Sequence, residues 1–114
     1  MAARTVLTVQ SVTRSGTVPT YGAVDAVNGD EFTNDGRTFI HVKNGAGAPI
    51  TVTISTPGTV DGLAVAERTV SVTNASEKMI GPFPPGTYNQ ATGEVHLDYS
   101  SGTSITIAVC KLVP

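Results

Sequence analysis

Pro49-Ile50-Thr51-Val52-Thr53-Ile54-Ser55 alternates apolar and polar residues without a break. Successive side chains of an extended chain point to opposite faces, so Ile50, Val52 and Ile54 share one face and Thr51, Thr53 and Ser55 the other. That is the pattern of a half-buried strand, and its β-branched residues suit a pleated surface. The same period of two recurs on both sides of it. Thr38 to Lys43 places Ile40 and Val42 together, and Arg68 to Asn74 places Val70 and Val72 together. Glu94 to Tyr99 sets Val95, Leu97 and Tyr99 against Glu94, His96 and Asp98, and Ser104 to Cys110 sets Ile105, Ile107 and Val109 against Ser104, Thr106, Ala108 and Cys110.

Turn formers separate these runs. Asn44-Gly45-Ala46-Gly47-Ala48 and Ser100-Ser101-Gly102-Thr103 tolerate the positive φ values of tight connections, and Asn74-Ala75-Ser76 turns the chain toward Met79-Ile80. Tyr21 to Val27 and Leu63 to Arg68 are the best helical windows, and both are too short to stand alone. With an N-terminal strand in Thr5 to Val12 and short ones in Leu63 to Val65 and Lys78 to Ile80, about eight strands result. The sequence therefore predicts an all-β, single-domain β-sandwich, jelly-roll-like, with an extended irregular N-terminal region. Residues 1–37 form the N-terminal strand and extended connection, and residues 38–114 the sandwich core.

Composition agrees. Charged residues make up 14% of the chain, well below the roughly 25% of ordinary soluble domains, so uncharged Thr, Ser, Asn and Gly carry the polarity. The formal net charge of -2 is spread thinly, with no basic cluster able to neutralise several phosphates, so nucleic acid is not an expected partner. No apolar run is long enough for a bilayer span and Met1-Ala2-Ala3-Arg4 does not open a signal peptide, so the chain is expected to be soluble, unexported and without a membrane partner. A single cysteine, Cys110, leaves no intrachain disulfide and is read as a small buried strand residue.

Two features stand apart from the strands. Gly16 to Arg37 is dense in Gly, Pro, Asn and Asp and lacks sustained alternation, and is read as an ordered connection lying over the sandwich or over a neighbour. Ile80-Gly81-Pro82-Phe83-Pro84-Pro85-Gly86-Thr87-Tyr88-Asn89 is stiffened by three prolines and is read as a crossover that drops Phe83 and Tyr88 into the core.

Chemistry-bearing patterns are weak throughout. His41 and His96 are out of phase with their strands' apolar residues and are read as exposed; with Asp98 they lack metal-ligand spacing. Asp30-Glu31-Phe32-Thr33-Asn34-Asp35-Gly36 fails the calcium-loop pattern at Phe32 and is read as a solvated turn. No G-x-S-x-G elbow and no Gly-rich phosphate loop is present. The chain is expected to be no enzyme and to need no cofactor or metal.

Asn34-Asp35-Gly36-Arg37-Thr38-Phe39-Ile40-His41-Val42-Lys43-Asn44-Gly45, Ile50-Thr51-Val52-Thr53-Ile54, Ile80-Gly81-Pro82-Phe83-Pro84 with Tyr88-Asn89, and Val95-His96-Leu97-Asp98-Tyr99-Ser100 resemble a family of short proteins encoded among the head genes of tailed bacteriophages. The likeness runs from Val18 to the C-terminus. It implies a virion structural protein, a capsid decoration or cement protein, made in the host cytoplasm and seated on the outer capsid surface. The implied partners are the major capsid protein and the chain itself, as a homo-oligomer, most simply a trimer. The contacts are expected from residues before Phe39: strand addition through Thr5, Leu7 and Val9, and apolar burial by Val18, Tyr21, Val24 and Phe32. The alternatives are a head-tail or tail-associated subunit, and a carbohydrate- or receptor-binding sandwich.

Overall fold

The alternating runs of the sequence become strands, and in three of them burial follows the alternation residue by residue. The computed structural model describes residues 4–112. In β5 (Thr38–Asn44) every second residue from Thr38 is buried, and in β6 (Ile50–Ile54) Ile50, Val52 and Ile54 are buried. β11 (Glu94–Tyr99) buries Val95, Leu97 and Tyr99. The remaining strands are β1 (Thr5–Val6), β2 (Val9–Val12), β3 (Gly22–Ala23), β4 (Asp30–Thr33), β7 (Thr59–Val60), β8 (Leu63–Ala64), β9 (Arg68–Val72), β10 (Ser76–Ile80) and β12 (Ile105–Leu112). One short helix, α1 (Pro85–Tyr88), interrupts them.

The strands form two five-stranded sheets and one isolated hairpin. The first sheet runs β1-β4-β11-β6-β9; the second runs β10-β5-β12-β2, with β3 also on β12. Their inner faces share one core, with Phe32, Val52, Ile54, Val95 and Leu97 from the first meeting Ile40, Val42, Ile105 and Val109 from the second. Full burial of such side chains contributes about 1.5–3 kcal/mol each and is the main stabilising term. The fold is a single all-β domain of two packed sheets.

β12 departs from simple alternation. Ala108 and Cys110, on its outer face, are buried along with Ile105, Ile107 and Val109. Tyr21 lies across that face: its ring meets the His41 imidazole edge-on at 5.4 Å, and the Lys43 ammonium sits 4.1 Å from its centroid. His41 is the cross-strand partner of Ala108. Burial pushes the Cys110 thiol up from its ordinary value, so it stays protonated and inert.

The first 37 residues differ from the expected arm. Residues 5–33 supply four strands, two in each sheet, so the division at residue 37 does not separate a connection from a core. Thr5–Val6 pairs in parallel with β4 in the first sheet, and three residues later Val9–Val12 pairs in parallel with β12 in the second. The chain therefore crosses between sheets at Leu7-Thr8 and closes one flank of the sandwich. Hydrogen bonds from Thr5 N to Gly29 O (3.0 Å) and Leu7 N to Glu31 O (2.8 Å) fix the crossing. Val24 and Phe32, expected to face a partner, are core residues instead. Phe32 is fully buried with its ring 5.8 Å from that of Phe83, and Val24 donates its N–H to Ile105 O. Asp30–Thr33 is likewise a strand, and only Asp35-Gly36 of that acidic stretch is a turn.

The Pro-rich crossover does bury Phe83 and Tyr88, whose rings meet edge-on at 5.4 Å. Asn34 holds it in place. Its side-chain amide donates to Phe83 O (2.8 Å) and to Asn89 Oδ1 (2.6 Å), while Asn89 donates back to Asn34 O and Gly93 O.

Candidate interaction surface

β7 and β8 belong to neither sheet. Asp61 and Gly62 both take positive φ (55° and 77°), the two-residue turn geometry that matches the twist of paired strands. Val60 and Leu63 are direct cross-strand partners and so project from one face of the hairpin. They are 69% and 70% exposed. The hairpin is tied at its base, where the Thr56 hydroxyl lies 3.0 Å from Val65 O and 3.2 Å from Ala66 O. A small cleft of about 160 Å³ separates it from Gly86 and Thr87 of α1.

Thr87 also lines a second, larger groove of about 500 Å³. Its walls are the inner faces of β9 and β10, strands that end their respective sheets and are joined by the tight turn at Thr73–Ala75. The two strands part from that turn toward Arg68 and Ile80, and Phe83 and Tyr88 form the floor. Arg68 donates from Nε to the Tyr88 hydroxyl (2.8 Å). Hairpin and groove thus form one continuous surface around α1.

The opposite flank carries the N-terminal crossing. Arg4 donates to both carboxylate oxygens of Asp98 (3.0 and 3.2 Å) and to Leu97 O (3.0 Å), and the Thr5 hydroxyl donates to Asp25 Oδ2 (2.7 Å). Gly29 makes room for this cluster. At φ 82°, a β-carbon there would stand 2.9 Å from Leu97 O and 2.6 Å from Asp98 Oδ1, in the space the Arg4 guanidinium fills. Backbone N–H donation from Asn28, then the Thr5 hydroxyl, holds the Asp25 carboxyl below its ordinary range. Asp30 is fully buried beneath. It accepts from the Tyr99 hydroxyl at 2.8 Å, and its Oδ1 has no hydrogen-bond partner. Burial raises the Asp30 carboxyl above its ordinary value despite that bond, and burial, then the Asp30 charge, raises the Tyr99 phenol well above its own.

Of the residues expected at a partner interface, Thr5 and Val18 are exposed, Val18 at 88%. Leu7 and Val9 are half-buried and pack against the core, and Tyr21 is half-buried over β5. Val18 sits in an exposed loop closed at its base by Gln10, whose side-chain amide pairs with both backbone groups of Thr20. The short strand expected in Leu63 to Val65 is β8, and its unexpected partner Thr59–Val60 is signalled by Asp61-Gly62, the standard pair for such a turn.

His41 and His96 point away from the core, as their strand phase requires, but both are engaged. The Tyr21 hydroxyl donates to His41 Nδ1 (2.6 Å) and His41 Nε2–H donates to Glu77 (3.1 Å), a tautomer consistent with both contacts. His96 Nε2 lies 3.4 Å from Glu31 Oε2. The two histidines stand in different sheets, so the structure does not bring them together. Among the described residues no group of three or more His, Cys, Asp or Glu side chains could hold a metal ion, and no helix is long and apolar enough to cross a membrane.

Comparison of the chain with family models, with curated proteins and with solved structures returned no match.

Proposed function

We propose that the protein is a non-catalytic virion structural protein, a capsid decoration or cement protein of a tailed bacteriophage, binding the outer surface of the major capsid shell as a homo-oligomer, most simply a trimer. The resemblance of Asn34–Gly45, Ile80–Pro84 and Val95–Ser100 to phage head proteins supports the class. The observation that carries an assembly role is the projecting hairpin. A small domain with a buried core nonetheless holds Val60 and Leu63 in water on a turn tied at its base, which favours a protein surface as their destination.

The carbohydrate-binding alternative is less well supported. A sugar platform needs exposed rings, and of the six aromatic residues Phe32, Phe83, Tyr88 and Tyr99 are buried while Tyr21 and Phe39 are half-buried. The head-tail alternative is separated by location. Cryo-electron microscopy of particles carrying the protein is expected to place it on the outer head surface, with Val60 and Leu63 covered. Leu63→Ser should keep the fold and lose retention on particles. Density at the tail, or undiminished retention of Leu63→Ser, would overturn the proposal.

A further inference from the structure

The groove between β9 and β10 has the chemistry of a peptide site. Its lining is mixed: Phe83, Tyr88, Val70 and Ile80 supply apolar surface beside the cations Arg68 and Lys78, with no carboxylate among them. Glu77, next to Lys78, faces the other way, toward His41 on the outer surface. Arg68 makes one hydrogen bond, through Nε to Tyr88, which orients the guanidinium and leaves its terminal nitrogens without an acceptor among the described residues. Two cations beside an apolar pocket favour an occupant that is apolar with an adjoining negative charge.

The backbone adds a second requirement. β10 ends its sheet, so one row of its N–H and C=O groups has no strand partner, and four of its five residues are exposed. An extended chain laid along that edge satisfies those groups while sending alternate side chains into the groove. A second copy of β10 fits poorly, because two-fold antiparallel pairing keeps each residue on its own face of the sheet, so the copy brings a further Lys78 to the groove side and carries its Glu77 to the outer face.

We propose that this groove receives an extended segment of a partner protein, added as a strand beside β10, with an apolar side chain seated on Phe83 and Tyr88 and a neighbouring carboxylate paired with Arg68 and Lys78. The site is independent of where the protein assembles, since the segment is recognised by its backbone and by this charge and shape.

Selection of displayed random dodecapeptides against the full chain tests it. The expected result is enrichment of sequences that place Asp or Glu beside a large apolar residue, and amide chemical-shift changes from a synthetic copy of the best binder that map to β9, β10 and the 81–88 crossover. Replacing the acid of that peptide by lysine should weaken binding by about tenfold or more, as expected for loss of a charge-assisted contact. Lys78→Glu should do the same, and because Lys78 is exposed its folding is readily checked by the unchanged spectrum elsewhere. Arg68→Gln serves as a second variant. Failure to enrich any sequence, enrichment without acidic residues, shifts mapping to another surface, or equal binding to the Lys78→Glu protein would each overturn the proposal.

Discussion

Tyr99→Phe removes one oxygen from the interior and leaves the ring in place. The lost contact is a 2.8 Å hydrogen bond to Asp30, whose side chain is wholly buried, while Tyr99 is 8% exposed. A hydrogen bond to a charged group contributes about 1.5–3 kcal/mol, and a neutral one about 0.5–1.5 kcal/mol. The cost of the substitution therefore depends on the charge of Asp30. Because burial raises Asp30 above its unfolded value of about 3.9, the stability linked to its protonation is complete below that value and lost as pH rises through the folded one. The Tyr99 hydroxyl opposes that loss by favouring the carboxylate. Removing it pushes the folded value higher, so wild type and variant are expected to diverge as pH rises. Urea unfolding followed by circular dichroism should show a difference of about 1 kcal/mol near pH 3 and about 2 kcal/mol or more near pH 8, the latter lowering the melting temperature by on the order of 10 °C. A difference that is constant across this range, or larger at acid pH, would refute the charged-bond reasoning.

Three further outcomes follow from the packing. Phe83→Ala should cost about 3–5 kcal/mol in chemical unfolding, because the ring is buried between Phe32 and Tyr88 and the Asn34 clamp limits collapse of the crossover. Gly29→Ala should destabilise by about 1–3 kcal/mol through strain at positive φ and displacement of Arg4, and by less in an Arg4→Ala background, as a double-mutant cycle would register. Deleting residues 1–12 should expose the edges of β4 and β12 and produce aggregation measurable by light scattering, rather than a soluble domain lacking only an arm.

The long alternating runs were legible because their apolar face is the buried one, with β12 burying Ala108 and Cys110 on its other face as well. Ile50, Val52 and Ile54, or Val95 and Leu97, are inward as their period requires. β4 was not legible, since Asp30-Glu31-Phe32-Thr33 reads as an acidic turn until Tyr99, far away in sequence, supplies the hydroxyl that lets Asp30 face inward. Phe32 was misplaced for the same reason. β3 is too short to carry a period, and the one strand expected over Thr5 to Val12 divides into β1 and β2, whose partners in different sheets lie at positions no local pattern encodes. The groove was invisible because β9 and β10 become neighbouring sheet ends only through the strand order. Phe83 and Tyr88, by contrast, were recoverable from the scarcity of aromatics and the stiffness of the prolines around them.

The parallel register of β2 with β12 has a mechanical consequence. Val9 lies opposite Val109 and Val12 opposite Leu112, so tension that pulls β2 from its N-terminal end and β12 from its C-terminal end slides one strand lengthwise along the other. The hydrogen bonds between them then bear the load together instead of opening one by one. Load entering from the N-terminal side meets β1 on β4 first and this pair next, before it reaches the opposite flank where β9 and β10 stand open.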